Sequence, residues 1–454
     1  MAERRWHLAA WSCLCIALLL NGCGRSGHDD HHTYDCLETQ SQCSQCVDHI
    51  CTGCKEGYTF LNETLGAAHG RCIATCIGQP LQPRPPRPSS PLELNGKAWP
   101  QKCINKSEGH FFGIGDWGGD RGGGHTWTNP GKCAGSGNVT DSGARPCQDA
   151  DHWAQKYVAR QMKTLAPTAD PDYIVNVGDN FYPGGMATQC GANVSGDPTG
   201  QWAQVYVDNY RGEGLSFKEW FSVLGNHDYG GINHKMGWDD QIFYTWDSQV
   251  WILPSQTWRR RVQYENFAVE FFFLDSNAQD ARNPDMGHRI CQGGGECWGM
   301  TDTTCPDMLD KAWQLGLQMM EDGLRESTAE WHIVVTHFPG PSITGNPTIQ
   351  ALNERHGLDL VVTGHAHIQE MGEANGIPYI ITGGGGGITS DSSPAPDGDD
   401  SAYGFIDFTI NGSALTVDMH TWGGEDGSFR TFKRRILQPH ARRKQLVQQV
   451  KTFV

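Results

Sequence analysis

From about Gly109 onward, short apolar runs alternate with longer amphipathic stretches, and several of the runs stop at a glycine followed by polar residues. The runs "HFFGIGDW", "YIVNVGDN", "FSVLGNHD", "VEFFFLDS", "HIVVTHFP", "LDLVVTGHAH", "PYIITGG", "YGFIDFTI" and "ALTVDMHT" are rich in β-branched and aromatic residues, which predicts β-strands. Between them, "DADHWAQKYVARQMKTL" and "PDMLDKAWQLGLQMMEDGLRES" space their apolar residues for one face of a helix. This order implies an α/β fold: a two-sheet β-sandwich core flanked by helices. No internal repeat is evident.

The amino-terminal part reads differently. Cys36, Cys43, Cys46, Cys51, Cys54, Cys72 and Cys76 crowd into residues 25–80, and "CSQCVDHICTGCKEGYTF" holds two Cys-x-x-Cys pairs. In a reducing compartment such pairs suggest zinc; behind an export signal they read as disulfides stapling a small cysteine-rich module with few apolar residues. An odd number of cysteines in the module leaves Cys103 to complete the set. The module loosely resembles the cysteine-rich repeats of growth-factor-receptor and furin-type proteins. The run "GQPLQPRPPRPSSPLELNG" predicts an extended, semi-rigid linker over 81–108. The main domain is expected over 109–435, followed by a basic, solvated tail over 436–454.

Residues 1–24, "MAERRWHLAAWSCLCIALLLNGCG", place Arg4 and Arg5 ahead of an apolar stretch and small residues, the pattern of a secretory signal peptide. Leu20, Gly22 and Cys23 also suit a lipoprotein leader, although Asn21 fits that box poorly. The stretch is short for a membrane span, and no other segment is long and apolar enough to be one. Seventeen cysteines accompany this leader, and removing its Cys13, Cys15 and Cys23 leaves an even number. Sequons at Asn62, Asn105, Asn138, Asn193 and Asn411 agree with a secreted or cell-surface glycoprotein, or one of an acidic, lysosome-like compartment. The formal net charge of −16 over 454 residues argues against nucleic acid or an anionic membrane as a general partner.

Candidate chemistry sits where the apolar runs end. "GDWG" offers Asp116, "GDNFY" offers Asp179 and Tyr182, "GNHD" offers Asn226 and His227, "VTHFP" offers His337, and "GHAH" offers His365 and His367. The carboxyl ends of strands in an α/β sheet converge on one edge, so residues distant in sequence share one site. Carboxylates, imidazoles, an amide oxygen and a phenol in this number exceed the needs of one ion and suit two. In extended chain His365 and His367 address the same side, whereas the adjacent Asn226 and His227 diverge. One of that pair can ligate while the other stands beside a substrate.

The five blocks, in this order, resemble the calcineurin-like metallophosphoesterase superfamily and, through Tyr182, the purple acid phosphatases of the mammalian, tartrate-resistant type. The resemblance runs over about 109–435, including "GDWGG", "GNHDYGG" and "GSFRTFKRR". It implies that Asp116, Tyr182 and His367 hold a ferric ion. It further implies that Asn226, His337 and His365 hold a divalent ion (Fe, Zn or Mn), and that Asp179 bridges the two. On that pattern a metal-bound hydroxide attacks a phosphomonoester, and His227 is the catalytic residue that orients the phosphate or protonates the leaving oxygen. The chain departs from the mammalian pattern after His337, where "PSITGNPTIQ" has Asn346 near the place of a further histidine, leaving His227 alone or assisted by a group such as Asp228.

Other readings stand beside this one. A phosphodiesterase or nucleotide phosphatase would use the same site. A surface recognition protein would bind a glycan or protein through the cysteine module and keep the rest as scaffold, but such a scaffold has no need of the full donor set. Gly383–Gly387, "GGGGG", reads as a flexible loop lining the site rather than a phosphate cradle. His110, His125, His152, His234 and His288 carry no motif and receive no role.

Overall fold

A computed structural model describes residues 43–47, 50–54, 58–61, 71–74, 76, 82–118, 154–182, 184–192, 196–230, 237–284, 289–292, 295–387, 400–422 and 429–440. The leader, Cys36, residues 119–153 and the end of the basic tail lie outside these residues, as do His125, His152, His234 and His288.

Four short strands, β1 (Cys43–Val47), β2 (Ile50–Cys54), β3 (Tyr58–Leu61) and β4 (Arg71–Ala74), pair as two antiparallel hairpins in the cysteine-rich module. Cys43 faces Cys54 and Cys46 faces Cys51 across the first hairpin. A disulfide joins Cys76 to Cys103, the cysteine expected to complete the set. Within the stretch expected to be a linker, Lys97–Cys103 forms β5 and pairs in parallel with a strand of the main sheet. The proline-rich segment is likewise held in place. Arg84 donates to the carbonyls of Thr245 and Ser248, the Trp246 indole donates to Pro85, and Arg87 pairs with Asp247 over the Phe243 ring.

The remaining strands are β6 (Gly109–Ile114), β7 (Tyr173–Asn176), β8 (Glu219–Ser222), β9 (Trp251–Ile252), β10 (Trp258–Gln263), β11 (Ala268–Phe273) and β12 (Trp331–Val335). They continue with β13 (Leu360–Thr363), β14 (Gln369–Ala374), β15 (Ile377–Thr382), β16 (Asp400–Ile410), β17 (Leu415–Trp422) and β18 (Phe429–Leu437). They build two seven-stranded mixed sheets, ordered β14-β15-β13-β12-β11-β10-β5 and β18-β17-β16-β6-β7-β8-β9. In each sheet the central strands run parallel, β11, β12, β13 and β15 in the first and β6 to β9 in the second. All nine expected strands are present.

Parallel strands covered on both faces read as nearly continuous apolar runs, and β6, β7, β11, β12 and β13 do so because almost every residue in them is buried. Aromatic rings fill the space between the sheets. Phe111 stacks on Tyr173 at 5.0 Å and on Phe408 at 4.4 Å within its sheet, and meets Phe271 of the other sheet edge-on at 5.9 Å. Helix α1 (Ala154–Ala169) buries Val158, Ala159, Met162 and Ala166, one face at helical spacing, and matches the described part of the first expected helix. Two further helices, α2 (Trp238–Asp247) and α4 (Pro347–His356), flank α3 (Cys305–Glu326) in sequence. Helix α3 matches the second expected helix; a Cβ at its Gly323 would lie 2.6 Å from the Phe272 ring, so a glycine there lets helix and sheet approach closely.

Beyond the Cys76 bridge, disulfides join Cys190 to Cys297 and Cys291 to Cys305. Among the described residues no helix is long and apolar enough to cross a membrane.

Candidate metal centre

Parallel strands bring their carboxyl ends to one edge, and the candidate residues collect there from both sheets. Asp116 follows β6, Asp179 and Tyr182 follow β7, and Asn226 and His227 follow β8, all of the second sheet. His337 follows β12, and His365 and His367 follow β13, both of the first. The structure brings together all seven predicted donors, with His227 beside them.

The chain turns sharply to achieve this. Asp116, Asp179 and His365 adopt left-handed backbone, with φ of 57°, 52° and 69°. Such a conformation costs a non-glycine residue roughly 1–2 kcal/mol, and strain of this kind collects at functional sites. Gly178, at φ 96°, lets the turn form: a Cβ there would lie 2.7 Å from the Gly225 nitrogen and 3.0 Å from His337 Nδ1. At Gly225 it would strike Asp179 Oδ1 at 2.1 Å, so the two loops close on each other through glycine.

The donors form two groups that meet at Asp179. In one, the Tyr182 hydroxyl lies 3.0 Å from Asp116 Oδ1, 2.8 Å from Asp179 Oδ2 and 3.1 Å from His367 Nε2. In the other, Asn226 Oδ1 is 3.1 Å from His337 Nε2 and 3.0 Å from His365 Nδ1, and these nitrogens are 3.3 Å apart. Asp179 Oδ2 also lies 3.3 Å from His337 Nε2. Asp116, Asp179 and His337 are buried, with ligand atoms all within 4.8 Å of one another, a metal-binding group.

The chemistry of the donors fits a cation. His337 Nδ1 lies 2.8 Å from the Val177 carbonyl, which can only accept, so the ring proton sits on Nδ1. In the neutral ring His337 Nε2 would aim a lone pair at Asn226 Oδ1 and Asp179 Oδ2, acceptors whose mutual repulsion a proton on Nε2 or a metal ion relieves. The Asn226 amide nitrogen, also buried, has no hydrogen-bond partner. Burial opposes charge on His337, yet the Asp179 carboxylate and then Asp116 raise its pKa to about 9. Burial pushes Asp116 well above the carboxylate range, while at Asp179 burial, the largest single influence, is outweighed by His337, His227 and His365 together, and the pKa falls. The Tyr182 phenol is pushed up by burial and by both carboxylates. A proton among these groups stands in for the charge that a metal would bring.

His227 is half-buried at the edge of the cluster, its backbone amide donating to Asp179 Oδ1 at 2.9 Å and its ring 4.5 Å from that of Tyr182. Asp228, considered as an assisting acid, is engaged by other partners. It is fully buried and accepts from the backbone amides of Asn180 and Gly225 and from Gln241 Nε2, at 2.9, 2.8 and 2.9 Å. It ties the β7 and β8 loops together, a role that no local motif reveals. Asn346 is the amino-terminal cap of α4, accepting from the amides of Thr348 and Ile349, so it does not act in place of the missing histidine. The five-glycine run, expected to be a flexible loop, is buried. Its amides at Gly383, Gly385 and Gly387 donate to the carbonyls of Ile368, Gly115 and Asp116. His110 pairs with Asp407 and Thr409 between strands β6 and β16, away from the donors.

The chain is similar in sequence to several known proteins. Purple acid phosphatase 17 of Arabidopsis thaliana is 29% identical over 200 residues, covering 44% of this chain and 52% of that protein. Purple acid phosphatase 4 of the same plant is 30% identical over 195 residues, covering 42% and 50%. Mouse tartrate-resistant acid phosphatase type 5 is 27% identical over 168 residues, covering 37% and 40%. The chain thus spans about half the length of the curated relatives it matches, or less. Among solved structures, Plasmodium GAP50, described as the anchor in the inner membrane complex, aligns with a TM-score of 0.48 at 17% identity, covering 74% of this chain and 90% of that one. The family model for the calcineurin-like phosphoesterases matches residues 110–369, more than half of the chain and all of the strand ends described above. By its sheets, its strand-end donors and this match, the chain belongs to the calcineurin-like phosphoesterase family.

Proposed function

We propose that the chain is a secreted acid phosphatase that hydrolyses small phosphomonoesters at a dinuclear metal centre. The observation that carries this reading is the position of Asp179, whose Oδ2 lies 2.8 Å from the Tyr182 hydroxyl and 3.3 Å from His337 Nε2. One carboxylate thereby touches both donor groups, the place a bridging ligand needs. Asp116, Tyr182 and His367 would hold the harder ion, a ferric one, because carboxylate and phenolate favour it. Asn226, His337 and His365 would hold a divalent iron, zinc or manganese ion. The similarity to purple and tartrate-resistant acid phosphatases supports both the metal pair and the substrate class.

When bound, such a pair supplies charge to neutralise phosphoryl oxygens and acidifies water. The chain's own groups do the rest. Tyr182 would lose its phenolic proton to solvent and offer its oxygen as a phenolate donor. Val177 holds the His337 Nδ1 proton and so keeps Nε2 pointed at the centre. Asp179 accepts the His227 amide and fixes that half-buried residue beside the donors, where its imidazole would orient the phosphate or protonate the leaving oxygen.

Hydrolysis of a chromogenic phosphomonoester from about pH 3 to about pH 9, with Asp179→Asn as control, tests this reading. An acid optimum that disappears in the variant is the expected result; a metal-loaded wild type without turnover overturns it.

A further inference from the structure

Gly383–Gly387 runs directly behind the donors, and all five residues are buried. A Cβ at Gly383 would lie 2.0 Å from the Ala366 carbonyl oxygen, between His365 and His367, and 3.1 Å from Asp116 Oδ2. At Gly385 it would lie 2.2 Å from the Gly115 oxygen, and at Gly387 2.3 Å from Tyr182 Cδ2 and 2.8 Å from the Asp116 oxygen. Gly384 and Gly386 face the other way, toward the Ala402 oxygen at 1.8 Å and the Gln155 nitrogen at 2.3 Å. The run is also stitched to two of the five ligand-bearing loops, Gly387 N to Asp116 O at 2.7 Å, Gly385 N to Gly115 O at 3.0 Å and Gly383 N to Ile368 O at 3.1 Å. A flexible loop would show neither feature, and a phosphate cradle would keep these amides for its ligand.

We propose that this run is the template of the metal centre, and that Gly387 is a positioning residue whose bare Cα sets where the Tyr182 phenol stands. The inference rests on the proposed ligand role of Tyr182. Its physical content is a backbone used as a flat wall. Any side chain on the inner positions displaces the Tyr182 ring, the Asp116 loop or the turn between the two histidines, because interiors at native density have no slack to absorb a methyl group.

The test compares Gly387→Ala with Gly384→Ala, an equally tight position that faces away from the donors. Both variants and the wild type are loaded with iron, and their metal content and visible absorption are read. Gly387→Ala is expected to shift or bleach the wild-type band and to weaken metal uptake by about tenfold or more; Gly384→Ala should lose thermal stability and keep the band. In metal-free protein, Gly387→Ala should lower the Tm in the wild-type background and far less with Tyr182→Ala, which removes the ring. Unchanged spectrum and uptake in Gly387→Ala, together with the same Tm loss in both backgrounds, overturn the proposal. If Gly387→Ala alone does not fold, folding of the double variant sustains the inference and its failure refutes it. A wild type that takes up metal without a band sinks the phenolate assignment instead, and the metal-free comparison then decides the inference by itself.

Discussion

The Asp228 carboxylate holds Asn180 twice, accepting from its backbone amide at 2.9 Å and from its carboxamide at 3.1 Å. Asn180 in turn accepts from Asn176 Nδ2 and donates to the Val223 carbonyl, so the loops after β7 and β8 are locked by fully buried groups. Two candidate ligands adjoin this lock in sequence, Asp179 beside Asn180 and Asn226 beside Gly225, whose amide Asp228 also accepts.

Asp228→Ala is therefore expected to destabilise the fold by at least about 2 kcal/mol, since it strands the buried amides of Gly225 and Asn180 and opens a small cavity. Urea unfolding monitored by tryptophan fluorescence measures this. A midpoint unchanged from wild type would show that water replaces the carboxylate and that the lock is dispensable.

Asp179→Asn and His227→Ala should separate binding from turnover. The first removes the charge shared by both donor groups, so metal content and activity are expected to fall together. The second leaves every candidate ligand in place, so metal content should hold while kcat drops roughly 10²–10⁴-fold. Metal analysis alongside steady-state kinetics reads both; metal loss in His227→Ala would place that imidazole among the ligands.

Tyr182→Phe should leave a folded, iron-loaded protein without the visible charge-transfer absorption expected of the wild type. Iron binding to wild type should also release one more proton than binding to the variant, because burial and the two carboxylates keep the free phenol protonated. Calorimetry in buffers of different ionisation enthalpy counts those protons, and equal release would contradict phenolate coordination.

Asp240 predicts a pH dependence at a distance from the candidate ligands. Burial raises its carboxyl to about 6, with Thr188 Oγ1 donating to it as the opposing influence. Between about pH 4, near the ordinary carboxylate value, and about pH 6 the folded chain keeps a proton that the unfolded chain has lost. Stability from this group thus rises as the pH falls through that window, by on the order of 3 kcal/mol, and is flat outside it. Asp240→Asn, which mimics the protonated form, should be more stable than wild type at neutral pH, with the difference closing near about pH 4. Urea midpoints across the range check the sign; a difference independent of pH would assign it to packing alone.

The proline-rich segment yields a truncation prediction. We expect a chain beginning at Gln82 to have a higher Tm than one beginning at Leu92, because the longer one keeps Arg84, Pro85 and Arg87 on α2. Equal melting temperatures would mean that these contacts form without contributing.

What was legible in the sequence follows from burial. Strands covered on both faces, such as β11 and β12, announce themselves as apolar runs, and the donors are readable because each stands just past such a run. Strand β10, "WRRRVQ", escaped notice because its arginines suggest solvent. Arg260 is instead buried, pairing with Glu219 at 3.0 Å and lying over the Phe221 ring, a neutralisation that only the fold supplies. The edge strand β18 is hidden similarly, its Phe432 and Ile436 exposed among basic residues. The tie at Asp228 and the packing of the glycine run depend on neighbours remote in sequence, so no local pattern could announce them.

The division of donors between the sheets has a mechanical consequence. The second sheet carries the acids, the phenol and Asn226, and the first carries His337, His365 and His367. Ions held at this edge would act as a rivet through both layers of the sandwich. Stripping them with a chelator would free the layers to part at that end first, with amide exchange quickening at the carboxyl ends of β7 and β12 together while the aromatic interior around Phe111 and Phe271 stays shut.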